Sequence, residues 1–88
     1  MAITRVEQSR PVTTYPRREC TDQEVDAYYK ELRALTRNPI TRSEPIFDRR
    51  PGSRTLRYFR FAEDKIAIFE YDPAEDSIYV LACREFIG

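Results

Sequence analysis

The stretch "LRYFRFAEDKIAIFEY", residues 56–71, decides how the rest of the chain is read. Its two halves are rich in aromatic and β-branched residues, and Glu63 and Asp64 interrupt them once. Such residues suit a pleated, half-buried surface, and a two-residue break between such runs reads as a tight hairpin. Counting outward from that break places Phe61 opposite Ile66, Phe59 opposite Ile68 and Arg57 opposite Glu70. On the other face Tyr58 meets Phe69 and Leu56 meets Tyr71. Arg57–Glu70 is then a charged cross-strand pair worth about 0.2–1 kcal/mol. A third run, "SIYVLAC" at residues 77–83, follows the turn "DPAED", whose Asp72 and Pro73 are turn-forming types. The expectation is a three-stranded antiparallel meander. Both of its faces are largely apolar, whereas a half-solvated sheet would alternate cleanly. One face therefore needs a helix, and the other needs the N-terminal arm, a second copy or a partner.

The helix is found upstream. "TDQE" at residues 21–24 is a capping box that starts a helix over 21–37, and Asn38-Pro39 ends it. Val25, Tyr28, Tyr29, Leu32 and Leu35 form one apolar stripe. Asp26 and Lys30 are spaced for an i, i+4 pair. Residues 38–55 read as an irregular connector with a short turn at "EPIFD", from which Ile46 and Phe47 tuck against the core. In residues 1–20, Pro11 and Pro16 restrict any strand to an edge, and the alternation in "AITRV" favours one short strand. The expected class is α+β: a three-stranded meander, with a short N-terminal strand or extended arm, packed on one main α-helix. Eighty-eight residues make one domain, 1–88, with a small core.

Composition removes several function classes. The chain has no histidine, which excludes histidine-dependent triads, His–metal sites and imidazole bases. With two glycines there is no glycine-rich phosphate loop. Cys20 and Cys83 fit no metal spacing and read as reduced thiols, Cys83 in the core and Cys20 as a spectator before the helix. The expectation is no metal and no cofactor. No apolar run approaches membrane-spanning length and the N-terminus lacks an apolar signal core, so the expected location is the cytoplasm.

Net charge is zero, but residues 1–60 hold 13 basic and 8 acidic side chains and residues 61–88 hold 2 and 7. This split either pairs internally across the sheet or leaves a dipolar surface. The block "RRPGSRTLRYFR", residues 49–60, supplies Arg49, Arg50, Arg54, Arg57 and Arg60, with Tyr58 among them. Guanidinium suits bidentate phosphate contacts and tyrosine suits stacking, so these six are the candidate nucleic-acid or partner-binding residues. The plainer reading pairs Arg57 and Arg60 with acids and leaves the other arginines solvating a loop. Glu63, Asp64, Asp72, Glu75 and Asp76 cluster in turns at opposite strand ends, which argues against one metal site.

The order of "ELRALTRNP", a proline-rich connector, "LRYFRFAEDKIAIFEYD" and "IYVLACRE" resembles the RelE/ParE superfamily of toxins from type II toxin–antitoxin modules, over about residues 30–86. The resemblance implies a toxin held by an antitoxin, acting either on messenger RNA at the ribosome or on DNA gyrase. It further implies catalytic roles for Lys65, opening the central strand, and Arg84, ending the last one. The family often carries a catalytic tyrosine in its C-terminal tail; Phe86 here has no hydroxyl. The second hypothesis is a non-enzymatic inhibitor or adaptor of the phage type, binding a host or defence complex through its tyrosines and arginines. A protein partner is expected under both, RNA or the ribosome under the first, and a homodimer remains open.

Overall fold

The computed structural model describes residues 5–46 and 55–86. Its elements run β1 (Arg5–Gln8), α1 (Arg10–Glu19), α2 (Asp22–Arg37), β2 (Glu44–Pro45), β3 (Thr55–Ala62), β4 (Lys65–Asp72) and β5 (Ser77–Glu85). The strands form one five-stranded sheet in the order β1-β5-β4-β3-β2. β1 runs parallel to β5 and the other pairs are antiparallel. The meander therefore exists, but as the centre of a larger sheet, and two helices accompany it instead of one.

α2 starts as its capping box requires. The Glu24 N–H donates to Thr21 Oγ1 (3.2 Å) and the Thr21 N–H donates to Glu24 Oε1 (2.9 Å). It stops at Asn38, whose N–H reaches the Ala34 carbonyl (3.2 Å) before Pro39. Tyr28, Leu32 and Leu35 are buried, Val25 is half-buried, and Tyr29 stays 43% exposed. Burying each large apolar side chain contributes about 1.5–3 kcal/mol, which is what holds the helix to the sheet. The Tyr28 ring meets Phe59 at 5.9 Å and Phe61 at 5.3 Å between centroids. Its hydroxyl donates to Gln8 Oε1 (2.8 Å), so this buried polar atom has a partner on β1.

Residues 5–20 depart most from expectation. A short edge strand is present at Arg5–Gln8, sharing only Arg5 and Val6 with "AITRV", and Arg10–Glu19 is a helix where an extended arm was expected. Pro11 lies in the first turn of α1, where a missing N–H costs nothing, and Val12 is fully buried in the same cluster as Tyr28, Leu35, Phe59 and Phe69. Both helices thus pack on one side of the sheet. The N-terminal segment thickens the covered side and does not shelter the other.

The expected hairpin register holds only at the turn, where Ala62 pairs with Lys65. A bulge at Phe61 then shifts every pair by one, so Arg60 faces Ile66, Phe59 faces Ala67, Tyr58 faces Ile68, Arg57 faces Phe69 and Leu56 faces Glu70. The Arg57–Glu70 pair is thereby replaced: Arg57 stands beside Phe69 on the helix side. A second bulge, between Ile68 and Phe69, places Ala67 opposite Cys83 and Phe69 opposite Val80. Both bulges direct large side chains into the core, and Phe59, Phe61, Ala67, Phe69 and Val80 are all buried there. The β4–β5 connection has four residues, with Asp72 accepting from the Ala74 N–H (3.1 Å) as an Asx turn. In the connector, Glu44 and Pro45 form the two-residue edge strand β2, and the Ile46 N–H donates to the Leu56 carbonyl (2.9 Å). Ile46 is half-buried, and Phe47 lies outside the described residues.

Candidate nucleic-acid interface

Strand alternation sorts the candidate cations onto two faces of the sheet. Arg57 and Lys65 point to the helix side, and each is 8% exposed. Arg57 Nε donates to Ser43 Oγ (2.6 Å), and its Nη2 donates to the carbonyls of Ser43 (2.9 Å) and Ile40 (3.2 Å). Ser43 Oγ in turn donates to the Pro39 carbonyl. This guanidinium fastens the connector after α2 to the sheet. Lys65 Nζ donates to Glu24 Oε2 (2.8 Å) and lies 3.4 Å from Asp64 Oδ1. The hydrogen bond to Glu24 is the main cause that raises the lysine pKa, and the same bond holds the Glu24 carboxyl below its ordinary range. Lys65 thus ties the start of α2 to the start of β4.

Arg60, Arg84, Tyr58 and Ile66 belong to the opposite face. Arg60 and Arg84 are the two cross-strand neighbours of Ile66, one on β3 and one on β5. Adjacent strands lie about 4.8 Å apart, so the two arginine Cα atoms are about 10 Å apart, within reach of one shared phosphodiester. Both arginines are exposed, and Arg84 has no hydrogen bond or ion pair among the described residues. Ile66 is only 6% exposed although neither α1 nor α2 lies on this face.

Phe86 completes the arrangement. Its N–H donates to the Asp64 carbonyl (2.8 Å), which brings the chain after β5 back over the β3–β4 hairpin. Its ring stacks with Tyr58 at 6.0 Å, and the Arg60 guanidinium carbon lies 4.9 Å from its centroid. Arg60 Nη1 also donates to the Glu63 carbonyl (2.7 Å). The guanidinium is therefore oriented by one ring and one carbonyl and keeps its other N–H groups for a ligand. Tyr58 Oη donates to Glu44 Oε2 (2.9 Å), a bond that raises the phenol pKa and keeps it protonated. An open cleft of about 450 Å³ follows the β2–β3 edge past Glu44, Tyr58 and Arg60 to Arg42 and Glu31 of the helix side.

Of the residues singled out from the sequence, Tyr58, Arg60 and Arg84 come together, Arg57 and Lys65 lie on the other face, and Arg49, Arg50 and Arg54 fall outside the described residues. Glu44 and Arg42 were not singled out, and Phe86 was noted only for lacking a tyrosine's hydroxyl. Glu44 could have been, since a charge before a proline is a common way to blunt an edge strand. For Phe86 and Arg42 no sequence pattern signals the contact.

No family model and no curated protein matches this sequence. A solved structure does: a chain in the crystal structure of the archaeal RelE–RelB complex from Pyrococcus horikoshii OT3 superposes with a TM-score of 0.80 over 94% of each chain, at 15% identity. The fold is RelE-like. With 94% of the chain covered, the likeness extends beyond the meander to the helical part of the chain. At this identity the likeness shows the backbone fold alone.

Proposed function

We propose that this chain is the toxin of a toxin–antitoxin module and acts on translation by cutting messenger RNA, with the open sheet face as its working surface. The observation that carries this reading is the pair Arg60 and Arg84 flanking Ile66 on the uncovered face of a RelE-like fold. The two guanidiniums would grip the non-bridging oxygens of one phosphodiester and stabilise the charge that builds when the 2′-oxygen attacks phosphorus. The Tyr58–Phe86 stack offers a platform for a base. Glu44 is the carboxylate beside that platform and would accept the 2′-hydroxyl proton. The P–O5′ bond breaks, the 5′-oxygen takes a proton from water, and the products are a 2′,3′-cyclic phosphate and a 5′-hydroxyl end.

Lys65 and Arg57 have no part in this scheme, because their charged groups are spent inside the fold. The partner would be an antitoxin whose bound segment covers the open face. The test is expression in a bacterium, with growth and message ends followed after induction. The reading expects arrested growth and messages cut to 5′-hydroxyl ends. Unimpaired growth with intact messages would remove it.

A further inference from the structure

The open face carries opposite charge at its two ends. Strand pairing sets its side chains in cross-strand rows. One end row is Arg60, Ile66 and Arg84, on β3, β4 and β5. The middle row is Tyr58, Ile68 and Ala82, all half-buried, with Glu44 at its β2 edge held by the Tyr58 hydroxyl. The far row is Leu56, Glu70, Tyr79 and Glu7, the last on β1. Asp72 and Arg5 lie beside it, around a cleft of about 120 Å³ that Glu7, Glu70 and Tyr79 also line. Acids thus outnumber bases at this end. Glu70 and Asp72 are already engaged within the chain. Glu7 is exposed and has no hydrogen bond or ion pair among the described residues, as is true of Arg84 at the other end. Tyr79, beside Glu7, is 37% exposed.

A cover for this face has to be acidic over Arg60 and Arg84, apolar in the middle and basic over Glu7. A second copy, turned end over end, meets all three demands with the same residues. A two-fold axis across the strands at Ile68 lays the middle rows on each other and each arginine row on the acidic row of the other copy. Arg84 then stands over Tyr79 of the second copy and beside its Glu7, where ring face and carboxylate both attract a guanidinium. Arg60 stands over Leu56 and beside Glu70. Each contact occurs twice. Zero net charge adds no long-range repulsion between copies. Five strands about 4.8 Å apart, with about six residues at about 3.4 Å each, give a face of roughly 500 Å² per copy. A pair buries about 1,000 Å², the lower limit for a specific interface, which suits a reversible association.

We infer that the open faces of two copies pack on each other, turned end over end, in a reversible homodimer that buries Arg60 and Arg84. Association then masks the surface that the reading above assigns to RNA, so dimer and working chain exclude each other. The association itself does not rest on cleavage: loss of message cutting with the dimer intact would remove that reading and leave this one standing. The test is analytical ultracentrifugation without RNA, from about 5 to about 500 µM. The samples are the parent, Arg84→Glu, Glu7→Arg and an equimolar mixture of the two variants. The parent should dimerise with a Kd of about 1–100 µM. Each variant alone sets like charges together at both contacts and should associate more than about tenfold more weakly. In the mixed pair every reversed charge meets its opposite, so the mixture should return to the parental dimer mass. A parent chain that stays monomeric at about 500 µM would overturn the inference and leave the face to RNA or to a protein segment. So would dimers that both variants keep, or a mixture that stays monomeric while each variant is folded by circular dichroism.

Discussion

Arg57 and Arg60 sit on the same strand, and Lys65 and Arg84 sit at the ends of neighbouring strands, yet the two faces of the sheet treat these cations in opposite ways. On the helix-covered face, Arg57 and Lys65 are almost buried, Arg57 donating to Ser43 and Ile40 and Lys65 to Glu24. On the open face, Arg84 has no partner among the described residues and Arg60 is held by a ring and one carbonyl. A charge withdrawn from water costs several kcal/mol unless it is paired, so a cation on the covered face is committed to the fold from the moment the helices dock. A cation on the open face stays hydrated and is free to exchange water for phosphate. Face, not residue type or position in an arginine-rich run, decides which of these cations the fold consumes.

Substitutions should reproduce that contrast. The largest loss of stability is expected from Phe69→Ala, at the fully buried centre of the covered face, at about 3–5 kcal/mol in urea unfolding. A loss below about 1 kcal/mol would mean that the core is not where these side chains place it. Arg57→Met comes next. It strips the Ile40 and Ser43 carbonyls of their donor and should cost about 1–3 kcal/mol, with faster amide exchange at Ile46. If Arg57→Met keeps full stability and loses RNA binding instead, the division between the faces fails.

Lys65→Met should cost less, and its cost should depend on pH. Glu24 has its carboxyl lowered by Lys65, so the stabilisation is present above the ordinary carboxylate pKa and is lost as pH falls through the folded value. Lys65 is raised by Glu24, so the alkaline limit lies above the ordinary lysine range. The gap in melting temperature between parent and Lys65→Met should be flat from about pH 6 to 9 and close below about pH 4. A gap that persists at pH 3 would show that packing, not charge, sets it. The smallest effect concerns the thiols. Both cysteines are free, and burial pushes the Cys83 pKa up to about 12 and that of Cys20 upward too. Native protein at pH 8 should react with a thiol reagent well below the rate of unfolded chain, Cys83 most slowly. Equal rates would place Cys83 outside the core.

The architecture was legible where local chemistry is decisive. Thr21 and Glu24 announce the start of α2, Asn38-Pro39 its end, and Glu63-Asp64 the hairpin turn, and the structure has all three. α1 was obscured because prolines count against a helix, although Pro11 occupies the first turn where that penalty vanishes. The register was obscured by the Phe61 bulge, which no short-range signal marks, because it answers to the packing of Phe61 against Tyr28 across the fold. That single inserted residue moved Arg57 from an acid to a phenylalanine. The open-face cluster was half legible: Tyr58, Arg60 and Arg84 are of binding types, but Glu44 and Phe86 join them only through the β2–β3 pairing and the return of the chain after β5.

Cleavage by Arg84→Ala probes most directly whether the uncovered face does the work. Message ends are mapped by primer extension in cells expressing the variant at parental levels, beside its melting temperature. The account predicts cutting reduced about 10²–10³-fold with stability unchanged within about 0.5 kcal/mol. Cutting at the parental rate by a folded Arg84→Ala protein would contradict it.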